Sequence, residues 1–452
     1  MSKLPKSCII GAGPSGLTVG KALTDRGLPY DCFDRSDNVG GNWYFNNPNG
    51  MSSAYRMLHI DSSKERSQFA EYPMPAEYPH FPHHSQIWQY FRNYAQHFGL
   101  LDKITFRTTV EECRRDDRGV WQVRLDNGET RSYDALFVCN GHHWNPRWPE
   151  PPFPGNFAGQ VLHSHDYKEP SAFRDKRVVV LGIGNSAMDI SVECTYVAKK
   201  VYLATRRGAH VSPKYVWGKP LDHWSQPWLP WWLLSRVARF MVWMQVGKYE
   251  NYGLPRPDHI MLQAHPSVST AIYDRLAHGD ITVKPNIARF DGNRVQFVDG
   301  SEVEADVVIY CTGYQVTFPF FDPDFVSAPD NDLPLYLRTF KPGVPNLFFI
   351  GLCQPLGAIF PIAERQAALC GEYLAGRYCL PSDAEMNADM DREREVMFRR
   401  YVKSKRHTMQ VDFAPFMKRL TQEMKAGARR VRAGQKVVKI PALAEQPVMT
   451  NR

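Results

Sequence analysis

The chain has 452 residues, of which 43% are hydrophobic, 13% aromatic and 23% charged. This length gives room for two or three domains, and the composition excludes disordered, collagen-like and disulfide-scaffold classes. The formal net charge is +8, and the excess lies in residues 392–439, which hold fifteen Lys and Arg against four Asp and Glu.

The N-terminal apolar stretch, residues 8–10, is too short for a secretory signal. The nine cysteines are an odd number and include no Cys-x-x-Cys pair. Several, such as Cys8, Cys32 and Cys139, lie in apolar runs typical of buried strands. We therefore expect reduced core thiols, a cytoplasmic location and no metal site.

A strand, a glycine turn and a helix open the chain. Residues 6–10 predict a strand, a helical pattern continues to residue 23, and residues 30–33 predict a second strand. The turn at residues 11–16 reads G-x-G-x-x-G, the fingerprint of dinucleotide-binding βαβ units. The helix N-terminus after such a turn offers free N–H groups to a pyrophosphate.

Each fingerprint position has a physical role. Gly11 permits the tight turn, Gly13 lets the backbone approach the pyrophosphate, and Gly16 allows close helix–strand packing. Asp34, at the end of the second strand, can accept hydrogen bonds from ribose hydroxyls and repels a 2′-phosphate. With Ser15, these residues predict a site for FAD or NAD(H).

A second unit repeats this pattern. Residues 177–181 predict a strand, residues 188–198 a helix and residues 201–204 the next strand. Two arginines stand where the first unit has an acid, and guanidinium forks match the oxygens of a 2′-phosphate, which favours NADPH over NADH. The predicted contacts are Gly182, Gly184, Asn185, Ser186, Ala187, Thr205, Arg206 and Arg207.

Two nucleotides of opposite 2′ chemistry imply FAD and NADPH. Strands at 307–310 and 347–350 are expected to rejoin the first sheet, while residues 45–85 are irregular. The expected fold is α/β with two Rossmann-like domains. The FAD domain covers 1–170 and 301–452, with a C-terminal helical extension, and the NADPH domain, 171–300, is inserted into it.

Two stretches raise the question of partners. Residues 228–246 are the most apolar but contain arginines, so we expect burial against a substrate channel rather than a bilayer crossing. Contact with a membrane surface or between the subunits of a homodimer is the alternative. The basic stretch 392–439 is expected to form solvated helix faces, with peripheral lipid contact as the alternative and no nucleic acid as partner.

Residues 157–167 read F-x-G-x-x-x-H-x-x-x-Y and resemble the fingerprint of the flavin-containing monooxygenase family. The related Baeyer-Villiger enzymes carry Trp where this chain has Tyr167, and His163 is interpreted as a packing residue. Further resemblance covers residues 39–43, 139–143, 311–314, 350–358 and 406–412. It implies flavin contacts at Gly41, Trp43, His59, Val110 and Gln354.

The resemblance also implies a mechanism. NADPH reduces FAD, NADP+ stays bound, and O2 adds to the flavin to give a C4a-hydroperoxide that oxygenates sulfides and amines to S-oxides and N-oxides. The family normally has Asn where this chain has Asp61, beside the reactive edge of the flavin. An ionised Asp there only accepts hydrogen bonds and repels a peroxide anion, unless burial protonates it or a cation pairs with it.

Several alternatives share part of this pattern. Baeyer-Villiger oxidation of ketones is the main one, and an uncoupled NADPH oxidase releasing hydrogen peroxide is another. A disulfide reductase needs a cysteine pair near the flavin, but no cysteine lies between Cys32 and Cys113. A nicotinamide sensor without flavin would not need Trp43 or Gln354.

Overall fold

The computed structural model describes residues 4–225, 229–402 and 408–435. Two five-stranded parallel sheets form the centres of two units, and the predicted α/β fold with two dinucleotide-binding domains is confirmed. The first sheet has the order Leu347–Phe349, Ala135–Val138, Ser7–Ile10, Tyr30–Phe33, Ile104–Thr105. The second has the order Ile281–Lys284, Lys200–Ala204, Arg177–Leu181, Val307–Tyr310, Gln160–His163.

Each parallel sheet has helices on one face and antiparallel strands on the other. Successive side chains of a strand point to opposite faces, so Ile9 packs in the helical core of the first unit and Cys8 in the opposite core. Val178 and Val179 divide in the same way in the second unit. Because both faces are covered, the central strands are apolar at most positions, such as 8–10, 135–138, 178–181 and 307–310, which made them recognisable in the sequence.

The remaining elements surround these sheets. The α-helices are Pro14–Thr24, Lys64–Ser67, His84–His97, Asn185–Cys194, Trp231–Val246, Ala271–Ala277, Phe360–Leu374, Asp383–Arg400 and Phe413–Arg432. The antiparallel sheets are Val110–Arg115, Trp121–Leu125, Thr130–Tyr133 in the first unit and Ile287–Gly292, Arg294–Phe297, Glu302–Glu304 in the second, where Gly155–Phe157 adds a parallel edge. Short pairs join Val211–Ser212 to Ser267–Val268, Tyr215–Val216 to Lys219–Pro220, and Gln354–Leu356 to Gln410–Asp412.

One strand lies in a different sheet from the one expected. Leu347–Phe349 rejoins the first sheet as predicted, but Val307–Tyr310 pairs with Arg177–Leu181 in the second. Gln160–His163 pairs with Val307–Tyr310. The second sheet thus takes strands from both sides of residues 171–300. The sequence did not show this, because buried parallel strands share one apolar pattern and only their long-range pairing decides which sheet they join.

The helix of the second unit also begins earlier than predicted. It spans Asn185–Cys194 rather than 188–198, and the extended backbone of Gly184 caps its N-terminus. The glycine turn is therefore only three residues long. The helix ends where the amide of Ala198 donates to the carbonyl of Cys194, closing a turn that leads into the next strand.

The two chain segments that connect the units run side by side. The amide of Arg147 donates to the carbonyl of Gly313 at 2.9 Å, and the amide of Gln315 donates to the carbonyl of Asn145 at 2.9 Å. The side chain of Asn140 donates to the carbonyl of Thr317 at 3.1 Å. Segments 145–147 and 313–315 therefore form a paired connection between the units.

The helix Trp231–Val246 is more exposed than expected. Only Ser235, Met241 and Val242 are buried among its residues, whereas Trp232, Phe240 and Trp243 are about half exposed. The expected burial is therefore wrong, because the apolar pattern covers more of the helix than its neighbours do. Residue 228 lies outside the described residues. Across the described ranges, no helix combines the length and apolarity that a membrane crossing requires.

Much of the basic stretch is neutralised within the protein. Its paired arginines in the described ranges are Arg392, Arg394, Arg399, Arg400, Arg419 and Arg430. Arg419, for example, bridges Asp389 and Glu393. These pairs fit solvated, salt-bridged helix faces; residues 403–407 and 436–439 lie outside the described part of the chain.

Candidate active site

The first glycine loop joins Ser7–Ile10 to Pro14–Thr24. Gly11 has a φ of +104°, and a Cβ there would lie 2.6 Å from the carbonyl oxygen of Cys139. A Cβ on Gly16 would overlap the carbonyl oxygen of Gly11. Only glycine fits these two positions, so the loop turns tightly and leaves the first amides of the helix open at the carboxyl edge of the sheet.

Gly13 differs from these two glycines. Its backbone is extended, with φ −73° and ψ −176°, and it caps the helix N-terminus. A Cβ on Gly13 would meet the Cα of Gly41 at 3.6 Å, an ordinary van der Waals distance. The fold itself therefore has room for a methyl group, and glycine is needed here only if another molecule approaches the backbone.

Asp34 joins the end of the second strand to this loop. Its Oδ2 accepts the amide of Ala12 at 2.6 Å, and its Oδ1 accepts the amide of Ser36 at 2.7 Å. Burial raises the pKa of Asp34, and these two hydrogen bonds oppose that rise. The carboxylate holds the loop against the strand end and keeps further lone pairs for a ribose hydroxyl.

Most flavin contacts implied by resemblance lie around the same sheet edge. Gly41 borders Gly13, and the side chain of Ser15 borders Gly351, just beyond the strand Leu347–Phe349. Trp43 packs edge-on against Phe360 with ring centroids 5.9 Å apart. These residues come from different loops that meet at the carboxyl ends of the first sheet, where α/β folds bind nucleotides.

Three further predicted contacts have different surroundings. The amide of Gln354 donates to the carbonyl of Met409 at 2.8 Å, so this segment is fixed by the C-terminal part of the chain. The side chain of Val110 is buried in the core, so only the backbone of this residue is available to contact a bound flavin. His59 lies near Lys214; burial lowers its pKa, its bond to the carbonyl of Met57 opposes this, and Lys214 lowers it further.

The second glycine loop repeats the geometry of the first. Gly182 has a φ of +145°, and a Cβ there would lie 2.7 Å from the carbonyl oxygen of Cys311. Gly184 caps the helix Asn185–Cys194, so Asn185, Ser186 and Ala187 form its first turn. The N-terminus of this helix faces the carboxyl edge of the second sheet.

The strand Lys200–Ala204 ends at the predicted arginines. The amide of Thr205 donates to the carbonyl of Lys284 at 3.0 Å, and its hydroxyl donates to the carbonyl of Arg207 at 2.7 Å. Arg206 and Arg207 are exposed, and neither guanidinium forms a hydrogen bond or ion pair with the residues that the structure describes. Thr205 thus fixes a turn that presents two available cations.

Asp61 lies between the two units. Its Oδ2 accepts a hydrogen bond from the side-chain amide of Asn185 at 2.5 Å, and its Oδ1 faces Lys214 Nζ at 3.7 Å. The side chain keeps 29% exposure, yet Oδ1 is buried and accepts no hydrogen bond within the described ranges. Burial raises the pKa of Asp61 to about 7, although Lys214 opposes this rise.

Asp61 belongs to a polar contact surface along the second nucleotide helix. Asn185, Asp189 and Glu193 are spaced by four residues and share one helix face. Asn185 donates to Asp61, while Asp189 accepts from Tyr55 at 2.6 Å. Glu193 accepts from the hydroxyl of Tyr167 at 2.7 Å. This face joins the helix to segment 55–61 and to Tyr167, which follows the edge strand Gln160–His163 of the second sheet.

The signature at residues 157–167 has a structural explanation. A Cβ on Gly159 would lie 2.5 Å from the carbonyl oxygen of Asp306 and 2.7 Å from the ring of Phe157. His163 is fully buried, and burial lowers its pKa to about 4, so it is neutral at physiological pH. Its Nδ1 accepts the amide of His165 at 3.0 Å, which agrees with a packing role.

The sequence did not identify several members of this site. Lys214 follows no motif, and its position beside Asp61 results from the fold of a long irregular segment. Asp189 and Glu193 carried a signal, the four-residue spacing from Asn185, but it points only to one helix face and not to a partner. Tyr55 lies in a region that had no periodic pattern.

Comparison with known proteins identifies the family. A sequence model of the family "Flavin-binding monooxygenase-like" matches residues 5–442. Flavin-containing monooxygenase 5 of Rattus norvegicus is 40% identical over 442 residues, covering 91% of this chain and 81% of the relative. Dimethylaniline monooxygenase [N-oxide-forming] 2 of Mus musculus is 36% identical over 443 residues, covering 93% and 83%.

Solved structures agree on the architecture. S-allyl-L-cysteine S-oxygenase from Allium sativum is 25% identical, with a TM-score of 0.70 and coverage of 95% of this chain and 93% of that one. Cyclohexanone monooxygenase is 16% identical and covers 96% and 98%; its TM-score of 0.72 indicates a shared fold. The protein is thus an FAD- and NADPH-dependent oxidoreductase, as predicted. The chain belongs to the flavin-binding monooxygenase-like family.

Proposed function

We propose that this enzyme uses NADPH and O2 to oxygenate soft sulfur and nitrogen nucleophiles to S-oxides and N-oxides. The observation that carries this proposal is the contact between Asp61 and Asn185 at 2.5 Å, which joins the first turn of the second nucleotide helix to the position that the family resemblance assigns to the flavin edge. The relatives that act as an S-oxygenase and an N-oxide-forming monooxygenase support this substrate class.

The first glycine loop is proposed to hold FAD. Gly13 supports this assignment because the protein has room for a Cβ at this position, so a bound molecule close to the backbone would explain the glycine. When bound, the flavin supplies hydride acceptance and oxygen activation; the chain positions it and excludes water. The proposed contacts are Gly11, Gly13, Ser15, Gly16, Asp34, Gly41, Trp43, His59, Val110 and Gln354.

The second loop is proposed to hold NADPH, with Arg206 and Arg207 on the 2′-phosphate. Their exposure and available guanidinium donors support this role, because bidentate arginine contacts match phosphate oxygens. The remaining proposed contacts are Gly182, Gly184, Asn185, Ser186, Ala187 and Thr205.

Asp61 and Lys214 are proposed to control charge at the meeting point of the two cofactors. Lys214 compensates the carboxylate when Asp61 is ionised, and Asp61 Oδ1 remains a buried polar atom that a bound group can satisfy. A protonated Asp61 can donate a hydrogen bond, as an asparagine side chain at the same position could. The protonation state of Asp61 would then set how efficiently NADPH oxidation is coupled to oxygen transfer.

A rapid-mixing experiment separates this function from its alternatives. The reduced enzyme with NADP+ is mixed with O2 and then with a sulfide, an amine or a ketone. We expect S-oxide and N-oxide formation to exceed ester formation. Ester as the main product would establish Baeyer-Villiger oxidation, and hydrogen peroxide as the sole product would establish an uncoupled oxidase.

The helix Trp231–Val246 is proposed to touch a membrane surface peripherally. Trp232, Phe240 and Trp243 are exposed, and the guanidinium of Arg236 lies over the ring of Trp232 at 5.5 Å. Exposed aromatics beside cations suit the interface of an anionic bilayer. Flotation with phosphatidylserine vesicles should bring the protein to the lipid layer, and Phe240→Ser with Trp243→Ser should abolish this, whereas Trp217→Ser should not.

Two further expectations accompany this proposal. A homodimer is the proposed assembly, and light scattering of the FAD-loaded protein would give its mass directly. A cytoplasmic location is proposed because all nine cysteines are free and eight of them are buried. Localisation of a fluorescently tagged chain in its native cell would check it.

A further inference from the structure

Three potential metal ligands meet at the junction of the two units. Glu65, His80 and His223 each offer one ligand atom, and these three atoms lie within 4.8 Å of one another. Glu65 Oε2 lies 3.4 Å from His80 Nδ1 and 3.4 Å from His223 Nε2, and Glu65 Oε1 lies 3.2 Å from His80 Nδ1. Both imidazoles therefore face the same carboxylate.

These distances match the edges of a zinc coordination sphere. Two ligand atoms bound to Zn²⁺ at about 2.1 Å with tetrahedral angles lie about 3.4 Å apart. A set of two imidazoles and one carboxylate is a known zinc ligand set that leaves the fourth position to water. We propose that Glu65, His80 and His223 bind a divalent transition ion, represented by Zn²⁺, at the junction of the two units.

The surroundings allow a water ligand. The three side chains keep 39%, 45% and 29% exposure, so solvent reaches the point they share. The hydroxyl of Ser63 lies 3.2 Å from His223 Nε2 and is a further oxygen next to this point. The site is accessible enough to exchange its metal with the medium.

Backbone contacts hold the ligands in place. The amide of Lys64 donates to the carbonyl of His80 at 2.8 Å, which ties His80 to the short helix that carries Glu65. The amide of Ser63 donates to the carboxylate of Asp222 at 2.7 Å, which ties the residue before His223 to the same helix. The three ligands are thus preorganised, so binding needs only small side-chain rotations.

An ion here would cross-link two segments that also carry the Asp61–Lys214 pair. Glu65 lies four residues after Asp61, in the short helix Lys64–Ser67, and His223 lies nine residues after Lys214. The ligands come from separate parts of the chain and share no spacing motif. This explains why cysteine and histidine spacing predicted no metal site.

Metal binding to the FAD-loaded enzyme tests the proposal. Protein stripped with a chelator is titrated with Zn²⁺ by calorimetry and with Co²⁺ by visible absorption against the flavin background. We expect one ion per chain, and His223→Ala and Glu65→Gln should each weaken binding at least about tenfold. His278→Ala, an exposed histidine at the end of Ala271–Ala277, should bind as the wild type does.

The outcomes are distinct. Absence of saturable Zn²⁺ binding at micromolar concentration would overturn the proposal and leave the cluster as direct contacts of the two imidazoles with the Glu65 carboxylate. Equal affinity of the wild type and His223→Ala would also overturn it, since the ion would then bind elsewhere. FAD absorbance and melting temperature verify folding, and His80→Asn supplies the same comparison if His223→Ala does not retain FAD.

Discussion

Replacing Asp61 by asparagine tests whether charge at this position limits oxygen transfer. Burial raises the pKa of Asp61 to about 7. We expect the carboxyl to be about 90% protonated at pH 6 and about 90% ionised at pH 8. The Oδ1 of Asn185 accepts the amide of Val268 at 2.9 Å, so Asn185 keeps its donor towards residue 61. The asparagine oxygen can retain that hydrogen bond, and the substitution removes mainly the charge.

The assay measures the fraction of consumed NADPH that ends as hydrogen peroxide, with a saturating sulfide, between pH 6 and pH 8. In the wild type this fraction should rise severalfold as the ionised share of Asp61 grows from about 0.1 to about 0.9. Asp61→Asn should give a low, flat profile. The sign follows from the negative charge of ionised Asp61, which would disfavour further negative charge on a flavin bound beside it.

Asp258→Asn is the matched control. Asp258 is an exposed carboxylate of the second unit, and the hydrogen bond from His259 holds its pKa below the usual value, so its charge does not change between pH 6 and 8. This variant should follow the wild-type profile. An Asp61→Asn profile that rises with pH as steeply as the wild type would refute the reasoning.

The remaining predictions address stability, both cofactors and the signature. The folded-state pKa of Asp61 exceeds the unfolded value. The wild type should therefore lose stability relative to Asp61→Asn as pH rises from about 4 to about 7, by about 1.4 kcal/mol of unfolding free energy for each pKa unit between the two states. Denaturant titrations at both pH values measure this loss. Gly13→Ala should keep the melting temperature of the apoprotein but lower FAD affinity, whereas an equal fall of both would show a purely structural role. Arg206→Ala should raise KM for NADPH about tenfold to a hundredfold, because it loses about 1.5–3 kcal/mol of charge-assisted hydrogen bonding. KM for NADH should not change. The control Arg174→Ala, at another exposed arginine, should keep the wild-type KM for NADPH. Tyr167→Phe removes the hydroxyl that donates to Glu193, and burial raises the pKa of Glu193 to about 7. The substitution should lower the free energy of unfolding in denaturant by about 1–3 kcal/mol. An unchanged unfolding midpoint would count against this contact.

Local patterns made the nucleotide loops predictable. Gly11, Gly16 and Gly182 occupy positions where backbone geometry permits no other residue, so the physical demand appears directly in the sequence. The buried parallel strands were equally visible as continuous apolar runs. The acid at Asp34 and the arginines after residue 204 follow those strands at fixed distances, so their place at the sheet edge needed no long-range information.

Long-range placement was not predictable. Val307–Tyr310 has the composition of any buried strand, and its sheet is decided by pairing with a partner far away in the chain. Lys214 approaches Asp61 because irregular segments happen to meet, which no periodicity records. The exposure of Trp232 depends on what lies beside its helix rather than on the helix sequence. These features depend on tertiary contacts, and the sequence contains no local signal for them.

The paired connection at segments 145–147 and 313–315 has a mechanical consequence. A single linker permits swivelling about its bonds, whereas two hydrogen-bonded segments act as a ribbon that bends across its plane and resists torsion. The second unit should therefore rotate relative to the first about a single hinge axis. A single hinge axis would return the helix Asn185–Cys194 to the same contact with Asp61 after each opening of the two units. Product release would then leave this contact unchanged for the next turnover.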